Sequence, residues 1–192
     1  MSQLLPIAAQ AWTVSAVPYD CPAARALTQA LQREQFSTYG RADDPGANDT
    51  AEFEPPSGVF LVAGRTDGTG VGCGGWRTAG PATAEVKRMY VAPDARGWGL
   101  GRRLLQALER DARQHGMTKV ILETGVRNHA ALALYARCGY TLVESYVRGR
   151  DPQINRAMSK ALSLPSQAHQ QDGEVALRLN PFEPTASDTR AE

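Results

Sequence analysis

The residues whose spacing carries the most chemistry are Arg96-Gly97-Trp98-Gly99-Leu100-Gly101-Arg102. Alternate glycines let backbone N–H groups approach a ligand with no Cβ in the way. An arginine at each end can add charge-assisted hydrogen bonds to an oxyanion. A strand-like run, Glu85 to Val91, precedes the turn, and Leu100, Leu104, Leu105, Leu108 and Ala112 follow it as one apolar helical stripe. The turn thus opens a helix, where unpaired amides and the helix dipole favour an anion. The local charge agrees, because the segment from Glu85 to Lys119 holds eight Lys/Arg against four Asp/Glu. These residues suit the holding of phosphate. They are not a P-loop, since no Gly-Lys-Ser/Thr follows. They are not a dinucleotide fingerprint either: the third glycine is missing after Gly101, and the preceding strands read as an antiparallel meander.

The elements that must position this turn follow from periodicity. Trp12 to Val17 alternates as a half-buried strand. A helix follows, with Asp20 as the expected N-cap, Pro22 in its first turn and Gly40 at its end. Val59–Ala63, Val71–Arg77 and Glu85–Val91 read as strands, the middle one weakened by its glycines. The helix after the turn stops at Gly116, and Val120-Ile121-Leu122 is a buried strand running into Glu123-Thr124-Gly125. Asn128 caps a further helix that ends before Gly139. Tyr135 lies seven residues after Asn128, two turns on, so the two share a face. Tyr140–Val143 and Ile154–Leu162 complete the strands. Residues 41–57 carry five acids against one base, and read as a solvated connection or as an acidic lip over a site for a cationic substrate.

Composition narrows the function classes. The chain has 192 residues, 42% of them apolar, enough for one domain plus tails. We expect the domain at 12–162, an N-terminal extension at 1–11, and a flexible acidic tail at 163–192, in which Val175–Leu179 could dock on an edge strand. A net charge of +1 argues against a dedicated nucleic-acid surface. No run is long and apolar enough for a membrane span, and the start lacks a signal peptide pattern, so a cytoplasmic location is expected. Cys21, Cys73 and Cys138 form no CxxC pair, so each reads as a small buried apolar residue, and no metal site is expected.

Three blocks together resemble the GNAT family of N-acetyltransferases. Arg96-x-x-Gly99-x-Gly101 fits that family's Arg/Gln-x-x-Gly-x-Gly/Ala signature. Glu85 to Val91 followed by Pro93 is similar to its fourth strand, and Asn128-x-x-Ala131-x-x-x-Tyr135-x-x-x-Gly139-Tyr140 to its late helix and next strand. The resemblance covers about residues 58–162. It implies an α/β (α+β) fold: a central, mixed but mostly antiparallel sheet of six to seven strands with flanking helices, splayed between strands four and five. It implies acetyl-CoA as acyl donor. The turn Arg96, Gly97, Trp98, Gly99, Leu100, Gly101 and Arg102 would then wrap the pyrophosphate. Met89, Tyr90 and Val91 would pair with the pantetheine arm, a backbone N–H near Val91 would polarise the thioester, and Asn128 would lie near the arm.

Making an amide needs a neutral amine, and a lysine-like amine arrives mostly charged, with a solution pKa of about 10.4. The resemblance makes Glu85 the first choice of base, with a salt-bridged strand residue as the plain alternative; Glu123 is the second choice. Tyr135 is the expected general acid for the leaving thiolate, or a residue that positions the sulfur; plain helix packing is the alternative. A phenol near 10 facing a thiol near 8.5 is poorly matched for proton donation. Phe36, Tyr39 and Glu54 are available on the first helix and following loop for substrate, Phe36 being favoured together with Glu123. The expected partner is a small-molecule amine or amino acid. Alternatives are a CoA-holding sensor without turnover, a protein-lysine or N-terminal acetyltransferase, and an interaction protein working through its tail. A homodimer, frequent in the family, stays open.

Overall fold

A computed structural model of the chain describes residues 12–163. The expected tail and N-terminal extension, and with them Val175–Leu179, lie outside the described residues apart from Ser163. In chain order the elements are β1 (Thr13–Ala16), α1 (Pro22–Tyr39), β2 (Gly58–Gly64), β3 (Gly70–Gly80), β4 (Thr83–Val91), α2 (Leu100–Gln114), β5 (Lys119–Gly125), α3 (His129–Arg137), β6 (Thr141–Val143) and β7 (Asn155–Ala161). They form one seven-stranded sheet in the order β1-β2-β3-β4-β5-β7-β6. Every neighbouring pair is antiparallel except β4 and β5. A parallel pair needs a crossover, and α2 supplies it. The mixed, mostly antiparallel sheet expected above is therefore observed.

The helices cover opposite faces. Leu100, Leu104, Leu105, Leu108 and Ala112 of α2 are buried on the face carrying Val71, Trp76, Ala84, Val86, Val120 and Leu122. Trp76 donates its indole N–H to Asp111 of α2 at 2.7 Å, which fixes the helix on β3. On the other face Ala24 and Leu27 of α1 pack with Tyr19, Phe53, Phe60, Val62 and Cys73. The glycines of β3 reflect this packing: a Cβ on Gly75 would meet Phe53 and Phe60 at 2.7 Å. They make room for large neighbours.

Two local expectations are corrected. The α1 N-cap is Cys21, whose sulfur accepts from Ala24 N at 3.5 Å; Asp20 sits one residue too early and offers its carbonyl to Arg25 instead. Residues 41–57 are more than a solvated connection. They contain two 3-10 turns, at Pro45–Ala47 and Thr50–Phe53, each N-capped by an aspartate, Asp44 and Asp49. Phe53 is buried and stacks on Tyr19 at 4.6 Å. One apolar residue in a polar stretch carries too little periodicity to signal this anchor.

The feature that matters most for function is where β4 and β5 part. They pair only from Thr83↔Lys119 to Val86↔Leu122, while β3 follows β4 up to Val91. Just past the last pair, β4 holds a bulge: Gly75 faces Lys87 and Cys73 faces Tyr90, so three β4 residues span two of β3. Arg88 takes the positive φ of 58° at this bulge. The extra residue flips the alternation, turning Met89 and Val91 toward the α2 face and Tyr90 toward α1.

Candidate active site

A cavity of about 480 Å³ lies along β4 beyond its last pair with β5, bounded by the glycine turn, α1 and α3. Of the residues expected to hold the donor, Met89, Tyr90, Val91, Arg96, Gly97, Gly99, Leu100, Gly101, Arg102, Asn128 and Tyr135 all line it. Trp98 does not: it is 52% exposed and lies outside the cavity lining. At the turn's outermost position only the backbone can serve a ligand. Leu31 and Glu34 of α1 and Leu134 and Cys138 of α3 also line the cavity. Sequence reasoning missed Leu31 and Glu34 because α1 lies outside the motifs, and Leu134 and Cys138 because they fill unspecified positions of the Asn128–Tyr140 block.

Backbone makes most of this site. Gly97 and Gly99 adopt φ of 83° and 81°, a left-handed region open to glycine at little cost. The first turn of α2 has no side-chain cap, in contrast to α1, capped by Cys21, and α3, capped by Asn128 Oδ1 at 3.1 Å from Ala131 N. Its leading amides are thus available to an anion, with Arg102 beside them. Along β4, Ala92 N–H points to Val71 O on β3 at 2.8 Å. By strand alternation the N–H and C=O of Val91 point the other way, to the edge with no strand partner. Such an edge can pair with the amides of an extended ligand. A glycine turn that takes phosphate and an open strand edge that takes amides fit a phosphorylated, amide-bearing group such as acetyl-CoA.

Arg96 is already engaged. Its Nε donates to Val91 O at 2.8 Å, its Nη2 pairs with Glu34 at 2.5 Å, and it lies 5.8 Å from the Tyr90 ring centroid. Tyr135 is buried and lines the cavity, and its hydroxyl makes no hydrogen bond to another described residue. Burial, helped by nearby Cys138, pushes its phenol well above the ordinary tyrosine range. That widens the mismatch for proton donation noted above.

The other face of the same splay is built differently. Glu85 is buried. It accepts from Arg77 Nε at 2.8 Å, from Lys87 Nζ at 3.4 Å and from the Tyr146 hydroxyl at 3.1 Å. Arg77 also holds Glu52 at 2.6 Å. Glu123, at the end of β5, accepts from Ser145 Oγ at 2.8 Å and faces Arg150 Nε at 3.3 Å, and Arg150 also pairs with Asp43 at 3.1 Å. Burial alone would raise the carboxyls of Asp43 and Glu52, but Arg150 at the first, and Arg77 with Asn48 at the second, outweigh it and hold both below the usual range. The acids of the 41–57 stretch are therefore largely spent on internal partners and caps. Phe36 is 62% exposed on α1 and lines neither this face nor the cavity. Tyr39 packs against Gly125 and accepts from Arg127 N at 3.2 Å. Tyr146, Ser145 and Arg150 carried no signal in the sequence, because a loop residue's partners are set by the fold and not by spacing.

Comparison with known proteins agrees with this geometry. Residues 24–140 match the model of the Acetyltransferase (GNAT) family. The chain is 46% identical over 94 residues to an IAA acetyltransferase of Azospirillum brasilense, a match covering 48% of this chain and 60% of that one. It is 31% identical over 147 residues to an uncharacterized N-acetyltransferase of Schizosaccharomyces pombe, covering 74% and 90%. Among solved structures, one from Klebsiella pneumoniae, assigned to the acyl-CoA N-acyltransferases, superposes with a TM-score of 0.69 at 32% identity over 79% of this chain and 98% of that one. With its seven-stranded splayed sheet and its glycine turn, the chain belongs to the GNAT family and is an N-acetyltransferase.

Proposed function

We propose that the protein transfers the acetyl group of acetyl-CoA to a primary amine of a small molecule or amino acid by direct attack on the thioester. The observation that carries this reading is the splay itself. A phosphate-compatible cavity with an open strand edge lies on one side, and a carboxylate-bearing face lies on the other.

The uncapped α2 amides and Arg102 hold the pyrophosphate, and the Met89–Val91 edge holds the pantetheine arm. Bound there, acetyl-CoA supplies an activated acyl group. Val91 N–H is placed to polarise its carbonyl, and Tyr135 donates a hydrogen bond at the sulfur. Glu85 and Glu123 line the side from which an amine approaches and toward which its proton leaves. A small acceptor is supported by the Azospirillum relative, whose name specifies IAA.

The test is a panel of primary amines, amino acids and lysine peptides incubated with acetyl-CoA while free CoA is followed. Release with small amines at rates well above those with peptides is expected. Release with peptides alone would replace the small-molecule reading, and tight acetyl-CoA binding with no release would favour a sensor.

A further inference from the structure

The mechanism above leaves one group unused: the hydroxyl of Tyr146, on the loop between β6 and β7. It donates to Glu85 Oε1 at 3.1 Å, over the last residues where β4 and β5 still pair. Glu85 cannot act alone as a free base here. Both its oxygens are engaged, by Arg77 at 2.8 Å and by Lys87 at 3.4 Å. Tyr146 is held on both flanks, because the neighbouring Ser145 ties the same loop to Glu123 at 2.8 Å. Yet the residue as a whole is 37% exposed.

Resting on the acetyltransferase reading, we propose that Tyr146, and not Glu85, is the group the acceptor amine touches, and that Glu85 acts through it as a positioning residue. With its own hydrogen committed to Glu85, the phenol oxygen offers only lone pairs. An amine meets it as an N–H donor, and this leaves the nitrogen lone pair free to face the thioester. The arrangement selects a nucleophile that carries a donor hydrogen and orients it before attack. Burial and the charges of Glu85 and Glu123 keep the phenol far above its usual range, so its hydrogen stays on the oxygen.

Tyr146→Phe keeps the ring and removes only the hydroxyl; Leu142→Ala changes an exposed residue of β6 and leaves the phenol. With ethylamine, benzylamine and L-methionine sulfone as acceptors, Tyr146→Phe should raise the acceptor KM or lower kcat/KM at least tenfold, with acetyl-CoA affinity within twofold of wild type. Leu142→Ala should change acceptor kinetics less than twofold. A second readout needs no acetyl-CoA. In protein carrying ¹³C at tyrosine Cζ, the resonance missing from Tyr146→Phe should move when the best of these amines is added. Unchanged kinetics in Tyr146→Phe, equal losses in both variants, or a Tyr146 resonance that stays still while the amine binds would each overturn the inference. A wild-type protein that releases CoA with none of the amines would overturn the functional reading itself, and this inference with it.

Discussion

The two sides of the β4–β5 splay are made of different materials. The donor side is backbone: a glycine turn at φ of 83° and 81°, uncapped helix amides and an unpaired strand edge. The acceptor side is side chain: Glu85, Glu123, Asp43 and Glu52 held by Arg77, Lys87 and Arg150, with Tyr146 and Ser145 closing the set. Backbone sites demand one conformation and tolerate many side chains, as Trp98 shows by pointing outward. Side-chain sites can be rewritten one residue at a time without changing the fold. A family that keeps its donor and changes its acceptor is served by this division.

The comparison can be broken in several places. Gly99→Glu should have the largest effect. Its φ of 81° is strained for any other residue, and the added charge repels phosphate. Wild-type protein should gain about 2.7 kcal/mol of stability at a hundredfold excess of acetyl-CoA over Kd. The variant should gain nothing in a thermal-shift measurement. Tyr135→Phe should come next, lowering kcat about 10- to 100-fold with acetyl-CoA affinity nearly kept, as measured by steady-state kinetics and calorimetry. A parallel loss of affinity would make it a packing residue.

Arg77→Ala addresses the other side. It leaves buried Glu85 with one cation, Lys87, and should cost about 2 kcal/mol in denaturant unfolding, less than a fully buried pair because Arg77 is partly exposed. Acetyl-CoA affinity should stay within about twofold. A large loss there would show that the two sides are coupled. Glu34→Gln should act in the opposite sense on the donor side. It frees Arg96 from a pair that is 44% exposed on each partner, and acetyl-CoA should bind about two- to fivefold more tightly. Weaker binding would mean that Glu34 positions Arg96 for phosphate.

The smallest effect is in acid. The carboxyls of Asp43 and Glu52 are depressed in the folded state, so their contribution to stability is present above the unfolded value near 4 and is lost as pH falls through the folded value. Both are over a third exposed, so each contributes only a fraction of about 1 kcal/mol. Amide exchange between pH 6 and 3 should therefore show residues 43–53 loosening before α2.

Much of the donor side was legible from the chain alone. Arg96 to Arg102, with a strand before it and an apolar stripe after it, announces an anion site through local rules: glycine φ freedom, helix-end amides and 3.6-residue periodicity. Each of these depends on neighbours within a few residues. Glu85 was found, but not its company. Arg77 reaches it across a strand pair, and Tyr146 reaches it from 61 residues away. Phe36 was the natural aromatic to choose on α1, and it faces solvent. The sequence by itself determined a glycine turn between a strand and an apolar helix, because those features are written in local conformational preference, while the splay was what the family resemblance implied. Only the tertiary structure decided which acids are paired, which arginine is latched and which loop hydroxyl stands at the acceptor side, because those are contacts between segments far apart in the chain.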